Sequence, residues 1–265
     1  MDYGRLSLTV LGTRGSMAMS GRDRAVFGGS TSCYMIRAGG ETVFLDAGSG
    51  LLLSPEELPG TPHILLSHLH LDHLLGLGMY RRLSQKGRET VIHVPTLPGQ
   101  DPADLLDGLY SPPIWPLSLK AYAGDVRIVP LELPLRIGGI AIEGIPGNHP
   151  GGCILMKLSW RGRSVVYATD YEWEEKSSAG LIELSRGADL LLYDGQCTEE
   201  ELAACRGFGH SSPEKGIELL ERSGAKRLLL VHHAPRCTDE MLLEREARIG
   251  REDVRFAREG EVIEL

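Results

Sequence analysis

Four residues able to bind a metal ion fall within six positions, His68-Leu-His-Leu-Asp-His73. In an extended backbone side chains alternate with period two, so His68 and His70 point the same way. The chain must then turn for Asp72 and His73 to reach a second point nearby. Imidazole nitrogen and carboxylate oxygen together suit borderline cations such as Zn²⁺, and the spacing is a layout for two ions. The flanking Leu65, Leu66, Leu69, Leu71 and Leu74 make an apolar frame that a solvated histidine-rich loop would not need. Three more candidates each end an apolar run: His149 follows Ile140 to Ile145, Asp170 follows Val165 to Thr169, and His232 follows Leu228 to Val231. Loops at strand ends are where a rigid scaffold presents functional groups. Singly, Asp170 reads equally well as a helix cap and the two histidines as satisfied loop residues. Taken with positions 68 to 73 they complete seven ligands.

The elements that must hold these residues read mainly as short strands. Leu6 to Leu11, Ser32 to Arg37 and Glu41 to Asp46 are apolar or β-branched runs separated by glycine-rich loops, the pattern of a meander. His63 to Leu66 is another, so the ligand cluster occupies the loop between a strand and Leu74 to Leu83, a segment of helical length and composition. Val91 to Val94 reads as a strand, and Pro95 to Pro116 as loop around a short helix at Asp104 to Leu109. Ile140 to Ile145, Cys153 to Trp160 and Ser164 to Thr169 are strands, the last two joined by a turn at Arg161-Gly162-Arg163. After a buried strand at Leu190 to Tyr193, Thr198-Glu-Glu-Glu201 is a capping box whose helix Gly207 can close. Ser212-Pro213 opens a helix that Gly224 stops, and Arg227 to Val231 is the next strand. Val254 to Ala257 and Glu261 to Leu265 read as a terminal hairpin around Glu259-Gly260. Two strand-rich halves with helices are best satisfied by two sheets packed face to face with helices outside, a four-layer αββα sandwich. No linker or repeat divides residues 1–265.

Composition narrows the function classes. Of 265 residues, 42% are hydrophobic and 24% charged, near globular averages, and 33 glycines with 15 prolines exceed what a helical bundle tolerates. The net charge of −8 argues against coating long nucleic acid by charge alone and leaves room for a small or locally bound anion. No apolar stretch is long enough for a membrane span, and no secretory signal pattern opens the chain. The five cysteines, Cys33, Cys153, Cys197, Cys205 and Cys237, form no Cys-x-x-Cys pair, so each reads as a small buried apolar residue of a reduced, cytoplasmic protein. Gly28-Gly-Ser-Thr-Ser32 reads as a flexible turn or an anion-binding loop, and Arg81, Arg82, Lys86 and Arg88 as a solvated helix face sooner than as contacts to a substrate phosphate.

The order His-x-His-x-Asp-His at 68 to 73, then His149, Asp170 and His232, resembles the metallo-β-lactamase fold superfamily, as do the Leu11-Gly-Thr-Arg-Gly15 loop and Leu45-Asp46-Ala-Gly48. Asp194 at a strand end, followed by Gly209-His210-Ser211-Ser212, resembles the acidic residue and His-Ser-Thr motif of the phosphodiesterase branch that includes ribonuclease Z and small cyclic phosphodiesterases. The resemblance implies the αββα fold and two divalent transition-metal ions, zinc first, with manganese or iron as alternatives. It implies His68, His70 and His149 on one ion, Asp72, His73 and His232 on the other, and Asp170 bridging. In the His232-His233 doublet, His232 lies nearer the strand end and is assigned as the ligand. His63 and His93 match nothing.

Two such cations can acidify a water between them and stabilise charge on phosphorus. His210, oriented by Asp194, would bind a phosphoryl oxygen or protonate the leaving oxygen, so catalysis is assigned to Asp72, His210 and Asp194. The expected activity is hydrolysis of a small-molecule or short nucleotide phosphodiester, cyclic substrates included. No long glycine- and lysine-rich arm of the kind ribonuclease Z carries for transfer RNA is evident. Hydrolysis of a lactone, ester or thioester is the alternative; a noncatalytic sensor or a redox diiron protein fits less well. No membrane partner is expected, and assembly as a homodimer is left open.

Overall fold

The computed structural model describes residues 4–96 and 99–265. Fourteen strands are present among them: β1 (Ser7–Gly12), β2 (Cys33–Ala38), β3 (Glu41–Leu45), β4 (His63–Leu65), β5 (Glu89–Val94), β6 (Asp125–Pro130), β7 (Leu135–Ile137), β8 (Ile140–Gly147), β9 (Cys153–Trp160), β10 (Arg163–Ala168), β11 (Leu190–Asp194), β12 (Leu228–Val231), β13 (Val254–Phe256) and β14 (Val262–Glu264). The α-helices are α1 (Pro102–Asp107), α2 (Ser178–Ser185), α3 (Glu199–Leu202), α4 (Pro213–Ser223) and α5 (Asp239–Ile249).

The strands form two seven-stranded mixed sheets, β14-β1-β2-β3-β4-β5-β6 and β13-β12-β11-β10-β9-β8-β7. In the first, β14 to β3 run antiparallel and β3 to β6 parallel; in the second, β7 to β10 are antiparallel and β10 to β13 parallel. Side-chain alternation explains why both faces of each sheet are covered. Leu190, Leu192, Leu229 and Val231 point into the layer between the sheets, where they join Leu8, Val10, Ile36 and Leu45. Their neighbours Leu191, Tyr193, Leu228 and Leu230 point outward onto Leu181 of α2, Leu219 of α4 and Leu242 of α5. This is the expected αββα sandwich.

Its outer layer over the first sheet differs from expectation. Leu74 to Leu83 is not one helix: the chain makes short 3₁₀ turns at Leu71–His73, Leu77–Met79 and Arg81–Ser84. Gly76 supplies the reason, because a Cβ there would lie 2.3 Å from the Gly48 carbonyl oxygen. The close approach of the two loops favours glycine, which also weakens a helix. Arg82 is buried rather than solvated, donating to the carbonyls of Leu58, Gly60 and Glu89. The terminal hairpin is likewise absent: β13 pairs parallel with β12 in the second sheet, and β14 crosses to pair with β1 in the first. The helix after Thr198 is a short turn, α3, well before Gly207. Strands β6 and β7 and helices α2 and α5 were not expected. By contrast α4 has the foreseen Ser212 cap, Pro213 and left-handed Gly224. The expected loop from Pro95 to Pro116 includes positions 97 and 98, which lie outside the described residues.

Candidate metal centre

Both sheets deliver their functional loops to one edge, beyond the carboxyl ends of β3, β4, β8, β10, β11 and β12. Asp46 follows β3, His68 to His73 follow β4, His149 follows β8, Asp170 follows β10, Asp194 ends β11 and His232 follows β12. The backbone there is held in an uncommon conformation. Five non-glycine residues among those described have left-handed φ; Ser16, Asp46, Asp170 and His232 belong to this edge, and only Arg161 is elsewhere, in the β9–β10 turn. Such conformations persist where surrounding structure over-determines them, as at ligand sites.

All seven residues assigned to metal come together, in two groups around Asp170. His68, His70 and His149 form one, with His149 Nε2 3.0 Å from His70 Nδ1. Asp72, His73 and His232 form the other, with His232 Nε2 3.1 Å from Asp72 Oδ2 and 3.4 Å from His73 Nε2. Asp170 Oδ1 lies 3.2 Å from His232 Nε2, 3.8 Å from His149 Nε2 and 3.9 Å from His68 Nε2, while Oδ2 is 3.2 Å from His73 Nε2. One carboxylate thus faces both groups.

The outward ring nitrogens of His68, His73 and His149 are engaged, which leaves their inward ones to bind. His73 Nδ1 donates to Asp46 Oδ2 at 2.7 Å, and His149 Nδ1 donates to the Gly209 carbonyl at 2.9 Å. His68 Nδ1 sits 3.0 Å from Ser67 Oγ, and its buried Nε2 has no hydrogen-bond partner. Burial pulls His68 well below the usual histidine range, with His73 adding to the effect and Asp170 opposing it. Burial lowers His149 too. Both imidazoles are therefore neutral, the form that binds metal. Burial would also lower His232, but Asp170, Asp72 and Asp194 outweigh it and hold the ring up at about 9. Burial pushes the Asp170 carboxyl up, while His232, His73 and His68 bring it well below the usual range. An orphaned inward nitrogen, two imidazole nitrogens facing each other at 3.0 Å and a carboxylate between two histidine groups all fit divalent cations.

The supporting residues include one to which sequence reasoning gave no role. Asp46 is fully buried, and besides His73 it accepts from Ser67 N at 2.6 Å, Ser67 Oγ at 2.7 Å and Tyr167 Oη at 2.6 Å. Its place at the end of an apolar strand was the available signal. Ser16 N donates to Asp72 Oδ2 at 2.7 Å, which brings the Leu11 to Gly15 loop into the site. Buried Arg14 staples that loop to the carbonyls of Gly28 and Cys237, both at 2.8 Å. The Gly28 to Ser32 segment is no open anion loop, because Glu259 already accepts from Gly29 N and Ser30 N.

His233 turns away from the centre, donating Nε2–H to Ala257 O and meeting Phe27 and Phe256 edge-on. His63 and His93 pair with each other elsewhere. His210 and Asp194 stand beside the seven: His210 Nδ1 donates to Asp194 Oδ2 at 2.9 Å, and the ring stacks on His232 at 5.0 Å. Asp194 also accepts from the backbone N–H groups of Asp170, Gln196 and Ser211. His210, with His70, Asp72, His149, Asp170 and His232, lines a cleft of 200 Å³ that Ser16, Gln196, Cys205 and Phe208 complete, and Asp194 lies buried behind His210.

Residues 41–233 match the family described as "Beta-lactamase superfamily domain". Ribonuclease Z of Halorubrum lacusprofundi is 26% identical over 92% of this chain and 91% of its own length. YhfI of Bacillus subtilis, a metallo-beta-lactamase fold protein, is 26% identical over 86% of each chain. The YhfI crystal structure superposes with a TM-score of 0.76 at 22% identity, covering 99% of this chain and 100% of that one. A diphosphatase from the PhnP family superposes with a TM-score of 0.74 at 18% identity, covering 98% of each. The chain belongs to the β-lactamase superfamily domain family, and within it is a metal-dependent hydrolase.

Proposed function

We propose that the chain is a dinuclear phosphodiesterase acting on a small or cyclic nucleotide-like diester. The observation that carries this reading is the 2.9 Å hydrogen bond between His210, on the cleft wall beside the two ligand groups, and Asp194, buried behind it. In this reading His68, His70 and His149 hold one ion, Asp72, His73 and His232 the other, and Asp170 both. Mixed imidazole and carboxylate donors favour zinc, with manganese or iron next. When bound, such a pair acidifies water and neutralises charge developing on phosphorus.

The chain's own residues do the rest. Asp46 and the Gly209 carbonyl fix the tautomers of His73 and His149. Asp194 accepts a hydrogen bond from the Nδ1 proton of His210 and steadies the imidazolium form, whose second proton on Nε2 would go to the leaving alkoxide or be donated in a hydrogen bond to a phosphoryl oxygen. Acyl hydrolysis has less need of such a pair. A cleft of 200 Å³ and a net charge of −8 favour a small or short substrate over long nucleic acid. Five free thiols suit a reducing compartment such as the cytoplasm. Both sheets build the one site, so we read residues 1–265 as one hydrolase domain.

The test is turnover by metal-loaded protein of bis-aryl phosphodiesters, 2′,3′- and 3′,5′-cyclic nucleotides, lactones and thioesters. Diesters are the expected substrates, and His210→Ala lowers their turnover by about 10²- to 10⁴-fold with metal content unchanged. Turnover of lactones or thioesters alone, or a His210→Ala variant with full diesterase activity, would overturn the reading.

A further inference from the structure

The loop between α3 and α4 carries a feature that the chemistry above leaves unused. Phe208 is 65% exposed, yet it is among the side chains lining the cleft, next to His210 and Cys205. Exposing a phenyl ring contributes nothing to folding, and this one is held in place. Glu172 Oε2 accepts from Gly207 N at 2.8 Å and Gly209 N at 3.1 Å, clamping the backbone on both sides of Phe208. Glu172 is itself tied to the segment preceding His149, by its N–H to Asn148 O and by Asn148 Nδ2 to its own carbonyl. Gly209 then accepts from His149, and a Cβ on it would lie 2.0 Å from His149 Nδ1. The ring is therefore positioned by the same loops that carry His149 and Asp170.

We infer that Phe208 sets the substrate class, as a platform on which the aromatic part of a phosphoester, aryl ring or nucleobase, stacks while its phosphoryl group occupies the cleft. This rests on the phosphodiesterase reading for the placement of phosphorus. Beside Phe208 the cleft is lined by polar side chains, exposed His70 and the more deeply set Asp72, His149, Asp170, His210 and His232. An ester substituent on a phosphoryl group held there must leave through the mouth, where Phe208 stands. A flat apolar substituent gains contact with the ring, and a small aliphatic one does not.

Equilibrium binding to the metal-loaded protein, by calorimetry, tests this without turnover. The probes are phenyl phosphate against methyl phosphate and uridine 5′-monophosphate against ribose 5-phosphate. Wild type should prefer the aromatic member of at least one pair by about 5- to 100-fold, the scale of one stacking contact. Phe208→Ala should abolish that preference, Phe208→Tyr should keep it, and binding of the aliphatic member should stay the same. A preference confined to the phenyl pair identifies an aryl subsite, and one confined to the nucleotide pair a nucleobase subsite. Equal binding within both pairs in wild type, a preference that survives Phe208→Ala, or no binding of any probe would overturn the inference. If the preference and its loss are seen while no diester is hydrolysed, the aromatic platform stands and the phosphodiesterase reading falls.

Discussion

β4 carries histidines at both its ends, and their surroundings differ in one respect. At its first residue, His63 Nδ1 meets His93 Nε2 of β5 at 2.9 Å, the rings stacked with 25° between their planes. Past its last residue, His68 leads into the metal centre. Both sets crowd imidazoles together, the first within one sheet and the second on loops from both. The centre places Asp46, Asp72, Asp170 and Asp194 among its histidines, whereas the charges facing the His63–His93 pair are Glu41 and Glu89, opposed by Arg127, with no hydrogen bond from either carboxylate to a ring. Burial decides at one end, lowering His93 to about 4; at the other it also lowers His68 and His149, but there the carboxylates outweigh it at His232 and hold that ring at about 9. Histidines interleaved with buried carboxylates offer a divalent cation a mixed donor set that a histidine pair alone does not.

The contrast breaks most visibly at Asp170, the carboxylate facing both groups. Asp170→Ala should lower metal content toward zero, measured after gentle purification, and cut hydrolysis by at least ~10³-fold, since several kcal/mol of charge stabilisation leaves with the ions. Two full equivalents of metal in this variant would show that the histidines suffice without the carboxylate. A smaller change separates His73 from His93. His73 differs in having Asp46 on its Nδ1, so Asp46→Asn should weaken metal binding by about 10- to 100-fold, the usual cost of losing such a partner. In the proposed assignment the loss should fall on the ion given to Asp72, His73 and His232, and competition with a chelator reads it out. Equal weakening of both ions would mean that Asp46 acts through the fold rather than through His73.

What the sequence made legible follows the same division. His68 to His73 could be read because all the information is local: four donors, their spacing and an apolar frame. His149, Asp170 and His232 each end an apolar run, as Asp46 does, and could be read only because they follow that cluster as donors in order. The role of Asp46 could not, since it depends on β3 lying beside β4 and on Tyr167 reaching across from the opposite sheet. The 3₁₀ turns over the first sheet were hidden because Gly76 is required by the approach of Gly48, a tertiary fact. Strand β6 was hidden for a different reason: it is an edge strand, half exposed and ending in proline, with little apolar pattern to see. The C-terminal strands were visible as strands, but partner choice is not local, and an apparent hairpin divided between two sheets.

The smallest effect on activity is expected at the carboxylate-poor end of β4, and its signature is in stability. His93 is buried, and its pKa of about 4 in the folded chain lies below the usual 6.5. Between those values the unfolded chain binds more protons than the folded one, so stability rises with pH across this window. The contribution is fully present above about 6.5 and is lost as pH falls toward 4; a gap of this size corresponds to about 3 kcal/mol at most. His93→Phe removes the titration and keeps a flat apolar ring against His63. Urea unfolding of the metal-free protein at pH 7, 6 and 5 should then show a shallower decline for the variant than for wild type. Carboxylates and the histidines of the centre titrate in both proteins and cancel in the difference. Metal content and hydrolysis at pH 7.5 should match wild type, because neither His63 nor His93 belongs to the groups of the centre. Parallel declines would mean that His93 is not held neutral by burial, and a loss of metal would tie the two ends of β4 together after all.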